Sequence, residues 1–159
     1  MCAKPARSLN RSEKLDWLRL IRTENVGPIT FYKLLESFGS ASSALGALPD
    51  LARRGGRAGS FKVSPKAAAE REMAALEALG ADLLARIEPG YPTLLAHIED
   101  APPLLSMLGN AHLLEKDAVA VVGARNASIN GRNFATKLAG ELGQGGLVVV
   151  SGMARGIDA

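Results

Sequence analysis

Apolar residues recur along the chain with two different periods. Over residues 12–51 the period is helical. Leu15, Leu18 and Ile21 share one face of LDWLRLI, and Phe31, Leu34, Leu35 and Phe38 recur at i, i+3, i+4, i+7 in ITFYKLLESF. Ser12 is the expected N-cap of the first helix, and NVGP breaks it before the second. Gly39 closes the second helix, and Ser40 caps a short third one ending near Pro49. RRGGRAGSFKVS then reads as an exposed, flexible loop. Behind Ser64, Pro65 takes the first position of the helix KAAAEREMAALEAL, which Gly80 stops. Short strands are expected at residues 83–87 and 104–107. The segment holding them is punctuated by Pro89, Pro92, Pro102 and Pro103, and is expected to pack over the edge of a larger sheet.

From Asp117 onward the pattern changes. AVAVV is a continuous apolar run, as suits a parallel strand buried on both faces. A helix over residues 131–142 follows, with Phe134, Leu138 and Leu142 expected on its inner face. Gly143, Gly145 and Gly146 end it before the second strand, LVVV. This is one βαβ unit of about 30 residues, expected to cross over right-handedly. The fold class is therefore α/β: a helical domain followed by the first βαβ unit of a doubly wound parallel sheet. One unit cannot cover both faces of such a sheet, so a truncated sheet, the front part of a longer protein, is expected. The organisation reads as a basic flexible arm (1–11), a helical domain (12–63), a connector helix with edge strands (64–116) and the start of the sheet domain (117–159). No internal repeat is visible.

Composition narrows the class. Apolar residues make up 47% of the 159 and charged residues 22%, an ordinary globular balance. No apolar run approaches the roughly 18 residues that cross a bilayer, and the N-terminus has no apolar core of a secretory signal. Cys2 is the only cysteine, so there is no disulfide framework and the cytoplasm is the expected setting. The net charge of +3 hides an asymmetry. Residues 1–66 carry 12 Lys and Arg against 5 Asp and Glu, and residues 67–159 carry 7 against 11. A basic front half fits either a polyanionic partner or a solvated basic face.

The candidate chemistry sits in two glycine turns, GARNASING after the first strand and SGMARGIDA after the second. Three enzymatic signatures fail there. The first turn has no GxGxxG and no GxxxxGK[ST], and Ser151 is not in a GxSxG elbow. If the strands are neighbours, both turns reach the same sheet edge, where open α/β sheets bind ligands. Gly123 and Gly152 then leave room for a ligand near the backbone, and helix starts supply N–H donors. Ser128 and Ser151 offer hydroxyls, and Arg125 and Arg155 can each grip a phosphate bidentately. No carboxylate or histidine stands out as an acid/base partner, so the set suits holding phosphates and not breaking bonds. The plain alternative is that each glycine serves the turn and each serine caps a helix. Asp158 reads as a helix N-terminal residue without a ligand.

In the helical region, NVGP between two helices resembles a helix-hairpin-helix turn, which offers backbone N–H groups to phosphates. Gly27 and Lys33, with Arg53, Arg54 and Arg57 beyond, are the secondary candidates. A bare helix-breaking turn fits the same residues. Trp17, Phe31, Tyr32 and Phe38 suit a helix core, Tyr32 being the expected exposed one. Aromatics make up only 4% of the chain, too few for stacking to dominate affinity. His97 and His112 have no supporting ligands for a metal. Glu70, Glu72 and Glu77 fit a solvated helix face.

Taken together, VVGARNASINGRNFATKLAGEL and VVVSGMARGIDA resemble the DprA/Smf family of bacterial DNA-processing proteins, with its VGSR-x-x-S-x-x-G and SGLA[R/K]GID turns. YPTLLAHIEDAPPLLSMLGN is similar to the family's YPxxLxxIxDPPxxLxxxGN segment, and TENVGPITFYKLLESFGSASSAL to its N-terminal SAM-like helical domain. The resemblance spans residues 15–159. It implies a Rossmann-like second domain and a non-enzymatic protein without cofactor or metal. Such a protein binds single-stranded DNA without sequence preference, protects it, and loads a RecA-type recombinase during transformation. Carried over by position, Arg125 and Ser128 of the first turn and Arg155 of the second contact DNA phosphates. Ala124, Gly123, Ser151, Gly152 and Gly156 complete the two turns. Ala124 stands where the family commonly has serine, losing a hydroxyl and keeping the N–H. Ala101 replaces the usual proline before Pro102. In the family the remainder of the Rossmann-like domain completes the DNA pocket, the homodimer interface and the recombinase contact. The competing readings are a nucleotide-handling enzyme of the nucleoside-monophosphate phosphoribohydrolase type, for which the PGGxGTxxE-like segment is missing, and a truncated inactive fragment.

Overall fold

The computed structural model describes residues 7–54 and 62–159, with Ala52 and Arg54 described by backbone alone. Cys2, most of the basic arm, Arg57 and the centre of the glycine-arginine loop lie outside the described residues. The chain divides into two compact units, Met1–Ala111 and His112–Ala159.

The first unit is built on four helices and a strand pair. Helix α1 (Arg11–Ile21) starts two residues earlier than expected, because Asn10 and not Ser12 is its N-cap. Asn10 Oδ1 accepts from the Glu13 N–H and Glu13 Oε2 accepts from the Asn10 N–H, both at 2.9 Å. Two orphan donors are satisfied at once, which a cap at Ser12 cannot match. The Asn10 N–H holds the Glu13 carboxyl below its ordinary range, with Arg7 adding to the effect. Helix α2 (Pro28–Phe38) opens with proline at its first position and closes at Gly39, whose φ of 75° lets its N–H reach the Leu35 carbonyl at 2.8 Å. Ser40 Oγ accepts the Ser43 N–H at 3.1 Å at the start of α3 (Ala41–Arg54).

Helix α3 runs through Pro49, so Arg53 and Arg54 belong to it and not to the loop. Pro49 removes one backbone hydrogen bond. Fully buried Leu48 anchors the helix just before it, and Arg53 bonds back to the Pro49 carbonyl and to Asp50 one turn earlier.

Trp17, Leu20, Phe31, Leu34, Ala44 and Leu48 form the main core, with Trp17 and Phe31 edge to face at 5.0 Å. Leu15 and Leu18 meet Ala69 and Met73 of α4 (Lys66–Ala78) in a second cluster. Strands β1 (Asp82–Ala85) and β2 (Leu104–Met107) pair antiparallel, and Leu83, Ala85 and Leu104 join these helical clusters. The first strand ends two residues sooner than expected because Glu88 turns back beneath it. Its carboxylate accepts the Leu9 and Ala85 N–H groups, each at 2.8 Å, and pairs with Lys14 at 3.0 Å. A single turn, α5 (Thr93–Ala96), follows. Tyr32, expected to be exposed, is half-buried. Its hydroxyl donates to the Ala101 carbonyl at 2.9 Å, and the Arg86 guanidinium lies over its ring at 4.8 Å. Burial raises the Tyr32 hydroxyl above the usual tyrosine range, against the pull of Arg86.

The second unit is a single β-α-β unit. Strands β3 (Ala118–Ala120) and β4 (Val148–Val150) run parallel, with Val119 opposite Val149. Bonds from Val121 N–H to Val150 O and from Val148 N–H to Asp117 O, both 2.9 Å, extend the ladder at each end. Helix α6 (Ile129–Gln144) connects them and packs on β4. Its inner face is only in part the one expected. Phe134 is 67% exposed and Leu138 is exposed too, while Ala135 is buried and Gly131, Ala139 and Leu142 are partly covered. Small residues at i, i+4 and i+8 let the helix lie close to the strands, and Phe134 and Leu138 fall on the outer side. Among the described residues, no helix is long and apolar enough to cross a membrane.

Candidate nucleic-acid interface

Parallel pairing of β3 and β4 delivers both glycine turns to one edge of the second unit. There the turns are clasped to one another. Gly156 has a φ of 107°, and a Cβ at that position would lie 2.2 Å from the Ala124 carbonyl oxygen and 2.7 Å from that of Arg125. Only glycine permits this approach. Ile157 follows, its N–H donating to Ala124 O at 3.3 Å, and its side chain fills the space beside Gly123. A Cβ on Gly123 would meet Ile157 at 2.6 Å. Gly123 therefore makes room for Ile157.

Asp158 completes the clasp. Its Oδ1 accepts the Gly123 N–H at 3.0 Å, and its carbonyl accepts the Ser151 hydroxyl at 2.7 Å. The residue read from sequence as a plain helix start is thus the tie between the two turns. The pattern that points to it is GID after the arginine. A glycine able to hold positive φ is followed there by one apolar and one acceptor residue. Gly152 has ordinary space, a Cβ there meeting Asp158 Oδ2 at 3.4 Å.

The two serines are partly committed. Ser128 is the N-cap of α6, its Oγ accepting from the Gly131 N–H at 3.1 Å. Ser151 Oγ also lies 3.4 Å from the Met153 N–H. The capping alternative describes Ser128, although its hydroxyl proton has no acceptor among the described residues.

Arg125 and Arg155 are different. Both are exposed, and among the described residues neither has a hydrogen-bond or ion-pair partner. Together with Ala154 they line one shallow, open cleft. One arginine from each turn thus lines a common space. Its neighbouring carboxylate, Asp158, is already engaged by a backbone donor.

The secondary candidates belong to the first unit. Gly27 is the exposed N-cap of α2 with an ordinary φ of −88°, and the left-handed residue of its turn is Asn25. Lys33 is exposed on α2. Arg53 is paired with Asp50. The side chain of Arg54 and the whole of Arg57 lie outside the described residues.

Two family models match in chain order. A DprA-like N-terminal HHH domain covers residues 11–75, and DNA recombination-mediator protein A covers residues 82–159. The chain belongs to the DprA/Smf family. Protein Smf of Synechocystis sp. is 28% identical over 93% of the chain and 40% of its own length. DNA processing protein DprA of Streptococcus pneumoniae is 47% identical over 43% of the chain and 24% of its own length, and that of Bacillus subtilis 35% identical over 55% and 30%. The X-ray structure of DprA from Streptococcus pneumoniae superposes with a TM-score of 0.55 at 27% identity, covering 96% of this chain and 52% of that one. The chain spans about half or less of the length of these relatives. The helical domain and the Rossmann-like βαβ unit expected from the sequence agree with the family and with that structure.

Proposed function

We propose that this chain is a non-enzymatic, sequence-independent binder of single-stranded DNA that acts in the cytoplasm in the processing of incoming DNA. The observation that carries this reading is the pair Arg125 and Arg155, exposed, without ion pairs among the described residues, and lining one cleft across two clasped turns. An unpaired arginine presents a planar fork suited to phosphate oxygens, and two in one cleft suit consecutive phosphates. Ser128 adds a hydroxyl donor, and the first-turn N–H groups of α6 add a partial positive charge. Ala124, Ser151, Gly152 and Gly156 act as the frame. The turn at Gly27 with Lys33 is a weaker second contact, and Arg53, Arg54 and Arg57 extend the basic surface. Protection of the strand, a RecA-type recombinase as partner, and a homodimer are proposed for the longer family members in which this part is found.

Phosphate binding of this kind is sequence-blind and salt-sensitive. Fluorescence anisotropy of a labelled oligo-dT against the 159-residue chain, over a salt series, tests it. The log–log slope is expected near −0.7 for each phosphate neutralised. A mononucleotide should compete poorly. A salt-independent affinity, or displacement of the oligonucleotide by free mononucleotide, would favour the nucleotide-handling alternative.

A further inference from the structure

Met153 sits at the tip of the second turn, between Ser151 and the cleft residues Ala154 and Arg155. It is unusual in two ways. Its φ is 52°, one of two positive values at non-glycine positions among the described residues, and its side chain is 86% exposed. Left-handed backbone is uncommon for a side chain of this size, and it persists where the surroundings over-determine it. Here the clasp through Gly156, Ile157 and Asp158 begins three residues later and holds the turn. Hydrophobicity does not account for the residue either, since a polar side chain at such a tip would be better solvated. Other exposed apolar side chains of this unit, such as Phe134 and Val150, lie on regular helix or strand faces. Met153 stands in the second turn itself, directly before the cleft residues Ala154 and Arg155, and Val122 stands at the start of the first.

We infer that Met153 is a nucleobase contact: its thioether packs against the face of a base whose phosphate is held by Arg125 and Arg155. The inference rests on the phosphate reading above and adds to it a part of the ligand that the arginines do not touch. A phosphate cleft alone takes hold of the backbone and ignores the bases. Methionine is flexible and polarisable, and sulfur makes favourable contacts with aromatic rings. Every base has such a face, so the contact adds affinity without reading sequence. It also supplies what the scarcity of aromatic residues leaves wanting. Tyr32, the aromatic expected from the sequence to be exposed, is turned to the Ala101 carbonyl and Arg86.

The test compares oligo-dT with an abasic deoxyribose-phosphate strand of equal length, each bound by the full chain and by Met153→Gly. Glycine accepts a φ of 52° without strain, so this variant keeps the fold of the turn. The expected result is that wild type prefers oligo-dT, and that Met153→Gly loses about twofold to tenfold on oligo-dT, the range of sulfur–aromatic contacts. Affinity for the abasic strand and the salt slope should stay unchanged. Equal affinity of wild type for the two strands, or an equal loss on both in the variant, overturns the base contact and leaves the phosphate reading standing. Failure of the wild-type chain to bind either strand overturns both.

Discussion

Replacing Gly156 with alanine should pull the two turns apart, and the structure sets the size of the effect. The new Cβ would lie 2.2 Å from the Ala124 carbonyl oxygen, where carbon–oxygen contacts normally begin near 3.3 Å. The backbone must therefore shift by roughly 1 Å at this point. A side chain at φ of 107° adds strain of about 1–3 kcal/mol. Forcing a methyl group against backbone adds about 1–3 kcal/mol more. Taking only the low end of each, about 2 kcal/mol falls on the clasp, which raises its open population about 30-fold. The Gly123 N–H bonded to Asp158 and the Ile157 N–H bonded to Ala124 report this opening directly. Amide hydrogen exchange read by NMR should show both exchanging about 30-fold faster in Gly156→Ala. The Val121 and Val148 amides, held in the β3–β4 ladder, serve as the control for wider unfolding and should keep their protection. Unchanged protection at Gly123 and Ile157 would refute the clasp.

Two further predictions concern the helical unit. Glu88→Ala removes the ion-pair partner of Lys14 and leaves the Leu9 and Ala85 N–H groups without their acceptor, so it should destabilise that unit by about 3 kcal/mol, seen in thermal or urea melts. The Glu13 carboxyl has a lowered pKa in the fold, through the Asn10 N–H first and Arg7 second. Its contribution is full above the ordinary carboxylate range and is lost as pH falls through the lowered value. Glu13→Gln should therefore remove part of the acid sensitivity of α1, read as a flatter dependence of helix melting on pH below the ordinary value of 4.5.

Much of this architecture is legible in the sequence because local chemistry and tertiary packing agree there. Gly39 is a left-handed helix stop, Ser40 a cap, and the apolar stripe of α2 is its buried face. The failures share a cause, which is that burial is decided by neighbours the pattern does not display. In α6 the large residues Phe134 and Leu138 make the more conspicuous stripe, but the strands accept Ala135 and its small companions. At α1, Ser12 and Asn10 are both good caps. Glu13, three residues after Asn10, decides between them by returning the hydrogen bond. Glu88 looks like a loop residue in IEPGYP, since no local signal shows that the distant Leu9 N–H and Lys14 join the nearby Ala85 N–H on it. In the candidate site, the arginines and the sheet edge are readable from strand–turn–helix order. The use of Gly123 for Ile157 and of Asp158 as a tie is not, because both depend on how closely the second turn folds over the first.

The central claim is that Arg125 and Arg155 together form a phosphate track. The most direct measurement is the salt dependence of oligo-dT binding by the wild-type chain and by the Arg125→Ala/Arg155→Ala variant. Loss of two phosphate contacts should flatten the log–log slope by about 1.4 and lower affinity alike for every base sequence. An unchanged slope with wild-type affinity would contradict the account.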